Sequence, residues 1–212
     1  DAVSTHGYTN DFSLNLSGGG EKAHFRIGAG YDNETGSIIT QELNRFTSRV
    51  NLDYFVSDRI KIQTNISLTY TDNQNSPHTG GLLGIAYNRM PNLSIYEQDR
   101  QGNNLNQFYH MLPSVSQEFR NNQLTQNNPV ALAHIANSSN TSYDIKPEFV
   151  LRYDLLGLGD DTNRLNYEGK VMFNIFNQYS DQYMPSSLNT SGWTNNASNR
   201  TTASSNKNFG LT

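Results

Sequence analysis

Alternation of apolar and polar residues is the dominant pattern along this chain, and it recurs in six separate runs. In the run 60–71, Ile, Leu and Tyr70 alternate with Lys, Gln, Asn, Ser and Thr. Successive side chains of a β-strand point to opposite faces, so this pattern predicts strands with one apolar and one polar face. The six predicted strands cover about 11–17, 23–31, 45–55, 60–71, 143–154 and 165–179.

The connections between these strands alternate between short and long. The short ones are 18–22, 56–59 and about 156–164, and the long ones are about 32–44, 72–142 and 180–206. Consecutive connections of an antiparallel sheet lie at opposite ends of the strands, so every short turn falls on one side. Outer-membrane barrels have short periplasmic turns and long extracellular loops. We therefore expect the three long connections to be extracellular loops.

Aromatic residues on the apolar face are sorted to the ends of the predicted strands, with aliphatic residues between them. Those at the short-turn ends are Tyr54, Tyr153 and Tyr167. Those at the long-loop ends are Phe12, Tyr31, Phe46, Tyr70, Tyr143 and Tyr179. Two aromatic girdles around an aliphatic band are typical of the lipid-facing surface of a barrel. The alternative, a soluble β-sandwich with large core aromatics, predicts no such sorting.

Composition narrows the class of protein further. Only 34% of the 212 residues are apolar, and adding the 16 glycines still leaves the share below the ~45–50% of ordinary soluble domains, a figure that counts glycine. Charged residues make up 16%, against ~25% in those domains. Aromatic residues at 11% and a net charge of −4 do not fit disorder, which combines high charge with few aromatics. The chain has no cysteine, so disulfides and thiol chemistry are excluded. The absence of a basic stripe argues against a nucleic-acid partner.

Four stretches of the chain, at 16–38, 44–70, 87–103 and 127–137, together resemble the SusC/RagA family of TonB-dependent outer-membrane transporters. The first, LSGGGEKAHFRIGAGYDNETGSI (16–38), is similar to an early-barrel hairpin of that family. NRFTSRVNLDYFVSDRIKIQTNISLTY (44–70) is similar to its next hairpin, and YNRMPNLSIYEQDRQGN (87–103) to its first large loop. NNPVALAHIAN (127–137) fits the return segment before the next strand. Residues 138–212 agree with a barrel but carry no motif specific to the family.

The resemblance implies a full-length protein with a signal peptide, a TonB-contacting segment, an N-terminal plug and a barrel of about 22 strands. We therefore expect residues 1–212 to be part of one transporter barrel domain, with the plug domain absent. The expected fold is an all-β, antiparallel transmembrane barrel segment of about six full strands plus the start of a seventh. Open strand edges are costly in lipid, so the remaining barrel strands are expected partners. The plug, TonB, a SusD-like surface lipoprotein and outer-membrane lipid are the other partners implied.

Charged residues on the predicted polar faces form the first set of candidate functional residues. They are Arg26, Arg49, Lys61, Glu148, Arg152, Glu168 and Lys170. These side chains would line the lumen, where they either guide substrate or pair with one another and with the plug. The five histidines lack the spacing of a metal site, and no nucleophile constellation is present. We therefore expect no metal, no cofactor and no enzymatic activity.

The long connection 72–142 carries the second set, the candidates for substrate contact. They are Tyr87, Arg89, Asn92, Tyr96, Tyr109 and His110. Aromatic faces with amide and guanidinium donors suit sugars or peptides, although the same residues would also pack the loop against the barrel mouth. A short helix is predicted within 80–90, before Pro91. A second helix is predicted after Asn128, with Asn128 as its N-cap and Pro129 at its first position.

The predicted function is import of oligosaccharides or peptides across the outer membrane of a Gram-negative bacterium, energised by TonB. The alternative is a β-rich surface adhesin or lectin-like binding protein. An upstream plug would favour the transporter, and strands without aromatic girdles would favour the adhesin.

Overall fold

The computed structural model describes residues 2–75, 81–109, 128–157, 163–185, 188 and 198–211, and for 198–205 only the backbone. It contains a large antiparallel sheet of seven strands. They are β1 (Tyr8–Gly20), β2 (Ala23–Thr35), β3 (Glu42–Ser57), β4 (Ile60–Asn75), β7 (Asn137–Leu156), β8 (Leu165–Met184) and β9 (Ser198–Leu211). The segment between β4 and β7 contains α1 (Gly81–Asn88), β5 (Tyr96–Gln98), β6 (Asn104–Phe108) and α2 (Pro129–Ile135). We call the described residues of this segment, 81–109 and 128–136, the loop cap.

The strands of the large sheet follow one another in chain order, β1-β2-β3-β4-β7-β8-β9, and every neighbouring pair is antiparallel. This confirms the all-β, antiparallel class predicted from the alternation. Strands β1 and β9 form the two edges of the sheet. The small β5–β6 hairpin, which was not predicted, forms a sheet of its own.

The strands continue beyond the predicted bounds at their long-loop ends. β2 runs to Thr35 and β3 begins at Glu42, so only 36–41 connect them. Side-chain amides pair across this extension: Asn33 Nδ2 donates to Asn44 Oδ1 (2.7 Å), and Asn44 Nδ2 donates to Glu42 Oε1 (2.9 Å). Apart from Leu43, the residues of both faces are polar there, so no apolar alternation signalled the extra length.

The seventh strand also differs from its prediction. The region 180–206 was expected to be a loop, with a strand starting near its end. Instead β8 continues to Met184, and β9 begins at Ser198, directly opposite it in the register. The sequence SNRTTASSN (198–206) has almost no apolar residue, so its pairing depends on backbone hydrogen bonds that periodicity does not reveal.

The register aligns the aromatic residues of the apolar face into a continuous row at the long-loop end. Phe12, Tyr31, Phe46, Tyr70 and Tyr143 lie opposite one another across five consecutive strands. The rings of Tyr70 and Tyr143 lie with their centroids 4.9 Å apart. Below this row are aliphatic side chains such as Leu14, which is 71% exposed. Nothing in the described part of the chain covers this face of the sheet.

The buried apolar cluster lies in the loop cap and not in the sheet. Leu82 and Ile85 of α1 pack with Ala131, Leu132 and Ala133 of α2, and Leu188 joins them. Both predicted helices are therefore confirmed. Asn128 caps α2 as expected, because its side chain accepts hydrogen bonds from the backbone N–H groups of Val130 and Ala131. Among the residues described, no helix is long and apolar enough to cross a membrane.

Candidate functional site

The two faces of the sheet are chemically different, and the register places all seven predicted lumen-facing charges on the polar face. One row crosses this face through Arg26, Asn51, Asn65, Glu148 and Met172. Other rows carry the remaining charged candidates: Arg49, Lys61, Arg152, Glu168 and Lys170. The polar face thus carries the seven predicted charges on five strands, β2, β3, β4, β7 and β8.

Three of the predicted basic residues have carboxylate partners on the polar face. Lys61 Nζ lies 3.0 Å from Asp53 Oδ2, and Arg152 Nε lies 3.6 Å from Asp154 Oδ1. Sequence reasoning did not single out Asp53 or Asp154, although both lie on the predicted polar face. Lys61 and Asp53 lie diagonally across the β3–β4 pair, so this partnership became recognisable once the register was known. Arg152 and Asp154 are two residues apart on β7 and therefore share one face of that strand.

The third pair joins two residues that were both predicted. Lys170 Nζ lies 2.6 Å from Glu148 Oε2, and Asn65 Nδ2 donates to Glu148 Oε1 at 3.1 Å. The arrangement ties β4, β7 and β8 together on the polar face. By contrast, Arg26, Arg49 and Glu168 are exposed and make no ion pair within the described ranges.

A hollow of about 570 Å³ opens beside Arg26 on the sheet. Its polar lining includes Ser17, His24, Asn51 and Asp53. Next to the hollow, strand β1 contributes short polar side chains to the polar face, with Ser17 opposite Arg26 and Asn15 opposite Gly28. The hollow therefore combines the guanidinium group of Arg26 with the carboxylate of Asp53 and with amide and hydroxyl groups, an arrangement suited to a polar ligand that has both hydrogen-bond donors and acceptors.

In the loop cap, Tyr87 and Asn92 are the predicted contact residues that face solvent. Tyr87 lies near the end of α1 with 84% of its surface exposed, and Asn92 is also exposed. Arg89 is half-buried, and its Nη2 donates to the backbone oxygen of Ser94 at 3.3 Å. Burial lowers the pKa of Arg89, while the nearby Tyr109 acts in the opposite direction. Arg89 and Tyr109 thus belong to the body of the cap.

Tyr96 forms part of an aromatic stack that was not predicted. Its ring stacks on Phe108 with centroids 5.4 Å apart, and Phe108 stacks on His134 of α2 at 6.0 Å. Tyr96 and Phe108 are brought together by the β5–β6 hairpin. A turn signal between them, DRQGN at 99–103, is the feature that would have indicated this pairing. His110 lies outside the described residues.

The turn of this hairpin is organised by Asp99. Its Oδ1 accepts hydrogen bonds from the backbone N–H groups of Gln101 (2.9 Å) and Asn103 (2.8 Å). Gly102 has a φ of +85°, in the left-handed region that favours glycine. The hydrogen bonds from Asn103, with those from Gln101 and Gly102, lower the pKa of the Asp99 carboxyl. This turn fixes the hairpin that carries Tyr96 and Phe108, and Phe108 also packs against the apolar cluster of the loop cap.

Asn128 links the hairpin to the helix. Its Nδ2 donates to the backbone oxygens of Ile95 (2.7 Å) and Tyr109 (3.1 Å), while its Oδ1 caps α2. Asn128 is 4% exposed, and among the described residues it is the only polar one that is buried. The sequence predicted the cap but not these two donated hydrogen bonds. One amide thus fixes three segments of the loop cap relative to one another.

Comparison with known proteins places the sheet in a family context. TonB-dependent receptor P39 of Formosa agariphila is 26% identical over 185 residues, which cover 87% of this chain and 16% of that protein. TonB-dependent receptors P3 and P26 of the same organism are 29% and 27% identical over 47% and 52% of the chain. The matched segments are 11% and 12% of those two proteins. No family model matches the chain.

A solved structure described as "Structure of the RagAB peptide transporter" has the same fold. It superimposes with a TM-score of 0.60 and 14% identity, covering 98% of this chain and 22% of that one. The chain therefore spans less than a quarter of each of these similar proteins. These matches confirm the predicted resemblance: the chain is related to the TonB-dependent receptors and has the antiparallel barrel-strand fold of a SusC/RagA-type transporter.

Proposed function

We propose that this chain forms part of the barrel wall of an outer-membrane transporter that imports oligosaccharides or peptides, energised by TonB. The observation that carries the proposal is the pair of unlike faces on one sheet. A continuous aromatic row borders an exposed aliphatic band on one face, and ion pairs occupy the other. This is the arrangement expected between lipid and a water-filled lumen. The sequence relationship to TonB-dependent receptors supports it.

In this proposal the sheet is one segment of a closed barrel. Edge strands β1 and β9 leave backbone groups unpaired, and each such group costs several kcal/mol in a bilayer. The complete protein therefore supplies neighbouring strands at both edges. The long-loop ends face the outside, and a plug inside the barrel contacts TonB from the periplasm. The charges on the polar face guide substrate or pair with the plug.

The loop cap is the proposed place of first contact with substrate. Its solvent-facing groups, Tyr87 and Asn92, offer an aromatic face and an amide for a sugar ring or a peptide. Arg89, Tyr96, Tyr109 and His110 complete the proposed set, and the stack on Tyr96 gives it a rigid base. A SusD-like surface lipoprotein would cover the cap. The similarity in fold to a peptide transporter makes peptides one of the two substrate classes to be tested.

The test uses the complete protein that contains this chain, expressed in cells with and without TonB. We expect the protein in the outer-membrane fraction with heat-modifiable gel mobility, and uptake of fluorescent oligosaccharides or peptides only when TonB is present. Tyr87→Ala should weaken substrate binding, whereas Tyr179→Ala, on the apolar face, should leave binding unchanged. A soluble, heat-insensitive protein would overturn the barrel, and TonB-independent uptake would overturn the energised import.

A further inference from the structure

We propose that the polar end of the apolar face, just beyond the aromatic row, is a contact surface for the sugar headgroups of outer-leaflet glycolipid. We call this surface the outer band, and it consists of two rows of facing residues. The first row is Asn10, Asn33, Asn44, Asp72 and Thr141. The second row is Tyr8, Thr35, Glu42, Gln74 and Ser139.

The inference rests on the proposed function, because it takes the apolar face to be lipid-facing and the long-loop ends to be outside. It goes beyond that function, since the outer band belongs neither to the lumen nor to the loop cap.

The outer band lies at the height expected of lipid headgroups. On each strand its first row is two residues beyond the aromatic row, as Asn33 is beyond Tyr31 and Asp72 beyond Tyr70. Two residues of a strand span about 6.6 Å and share one face. The polar layer on each side of the hydrocarbon core is about 5–7 Å thick. The first row therefore falls in the headgroup layer, and the second row reaches the region of the attached sugars.

Hydrogen bonds order the outer band on β2 and β3. Asn44 Oδ1 accepts from the Tyr31 hydroxyl (2.8 Å) and from Asn33 Nδ2 (2.7 Å). Glu42 Oε1 accepts from Asn44 Nδ2 (2.9 Å) and from Asn33 Nδ2 (3.3 Å). The aromatic row is thus joined to the outer band, and the amide donors of both asparagines are used inside the network.

Oxygen acceptors are what the outer band presents to its surroundings. Asp72 Oδ1 accepts from Thr141 Oγ1 across β4 and β7 (3.2 Å). Within the described ranges, no hydrogen bond or ion pair engages the second oxygen of Asp72 or of Glu42, or the side-chain oxygen of Asn33. Hydroxyl groups donate hydrogen bonds to such oxygens, so a sugar, which carries many hydroxyls, matches this surface.

Charge distinguishes sugars from phosphates as the ligand. Neither row of the outer band contains Lys or Arg, and Glu42 and Asp72 add negative charge. Arg45 is close in sequence, but it is on the polar face, with its Nε 2.8 Å from Asp32 Oδ2. A phosphate offers only acceptors and negative charge, so the carboxylates of the outer band repel it.

The opposite end of the apolar face has no such band. Beyond Tyr54 and Tyr167 at the short-turn ends, the next residues on this face are Val56 and Leu165, and both are exposed. The acceptor surface is therefore confined to the end that faces outside in the proposed barrel. The outer leaflet on that side is the one that carries glycolipid.

The experiment measures the Kd of lipopolysaccharide with a core oligosaccharide for the complete protein in detergent, by native mass spectrometry. We expect Asn33→Ala/Asn44→Ala to weaken binding about tenfold, as the loss of one or two hydrogen bonds does. The matched control is Asn73→Ala/Asn140→Ala, since these two asparagines face each other on the polar face. It should bind like the wild type. Heat-modifiable gel mobility checks that each variant is an intact barrel.

A second variant distinguishes sugar hydroxyls from phosphates bridged by a divalent cation. Glu42→Gln/Asp72→Asn keeps an acceptor oxygen at each position and removes the charge. We expect its Kd to equal that of the wild type, with or without EDTA. Lipid A without core sugars should bind the wild type about tenfold more weakly, because the hydroxyl donors of the core are missing.

Three results would overturn the proposal. One is unchanged binding in Asn33→Ala/Asn44→Ala, and another is equal binding of lipid A without core sugars. The third is binding that EDTA or Glu42→Gln/Asp72→Asn abolishes, because the ligand would then be a cation-bridged phosphate. Outer-membrane fractionation separates the two levels of inference. If the wild type fractionates as a barrel but does not bind lipopolysaccharide, the outer band fails as a sugar contact and the proposed function stands.

Discussion

In the loop cap, Leu82, Ile85 and Leu132 leave at most 2% of their surface exposed, whereas Leu14 and Leu151 on the sheet leave 71% and 43%. The buried apolar cluster therefore lies at the loop cap, where Leu188 joins it and Ile38, Ile39 and Met184 from outside the cap pack against it. The sheet covers neither face with its own residues. Its backbone pairing is internal, but in the proposed barrel its side chains would be covered by lipid on one face and by the contents of the lumen on the other. The chain thus combines a buried apolar cluster at the loop cap with a large sheet whose apolar side chains are exposed.

The largest expected effect comes from opening a cavity in the cap. Leu132→Ala removes a side chain that is 0% exposed, and such truncations cost about 2–5 kcal/mol. We expect faster hydrogen exchange in α1 and α2 and easier proteolysis of the cap, with the sheet unaffected. The control is Leu83→Ala, since Leu83 is 37% exposed on α1. Equal effects of the two substitutions would show that the cap has no core of its own.

A charge on the apolar face tests the other half of the comparison. Ile66→Arg places a cation in the middle of the aliphatic band, between the rows of Ile62 and Tyr70. For a lipid-facing position near the bilayer midplane we expect a loss of about 2–4 kcal/mol, measured by urea unfolding of the complete protein in vesicles. Thr69→Arg is the matched control, because Thr69 lies on the polar face opposite Asp144.

If Thr69→Arg destabilises the protein as much as Ile66→Arg, the two faces are not lipid and lumen. If neither substitution has an effect, the apolar face lies in water, and the adhesin alternative gains support. Only a loss confined to Ile66→Arg agrees with the barrel wall.

A smaller effect is expected where the cap is held by hydrogen bonds. Asn128→Ala removes the N-cap of α2, at about 0.5–2 kcal/mol, and also leaves the oxygens of Ile95 and Tyr109 without their donor. Asn128→Asp keeps the cap acceptor but loses the two donated hydrogen bonds, so it should be intermediate. Exchange of the Val130 and Ala131 amides measures the cap, and exchange across β5–β6 measures the link. An Asp variant as stable as the wild type would show that the link contributes nothing.

The large sheet was more predictable from the sequence than the loop cap, for a physical reason. In the aliphatic band, apolar and polar residues alternate along each strand, so Ile66 and its neighbours identify both the strand and its faces. Polar extensions such as Asn33–Thr35, and the first part of β9 (198–206), carry no such contrast. In the cap, local signals revealed the two helices and the role of Asn128. The DRQGN turn is a local signal for the pairing of Tyr96 with Phe108, but the stacking of Phe108 on His134 joins residues distant in sequence, and no local pattern encodes it.

The candidate residues divide in the same way. Their placement on the polar face followed from alternation, but whether a charge is paired depends on the register, which turned Asp53 into the partner of Lys61. Register is set by the whole ladder of strand pairs, and a shift of one residue would exchange the two faces. In the loop, composition alone could not distinguish the exposed Tyr87 from Arg89, whose guanidinium is half-buried in the cap.

The smallest expected effect is the pH response of the turn between β5 and β6, which the exposed carboxylate of Asp99 organises through hydrogen bonds. The pKa of Asp99 is lowered by its hydrogen bonds, chiefly those from Asn103. A lowered pKa in the folded state means that the ionised form stabilises the turn. That stabilisation is complete above the ordinary Asp pKa and is lost as the pH falls through the lowered value. We expect the Gln101 and Asn103 amides to lose protection, relative to intrinsic rates, over that acidic range, while Ala131 in α2 keeps its protection. Asp99→Asn should remove the pH dependence, and a turn whose protection does not change with pH in the wild type would show that the carboxylate does not organise it.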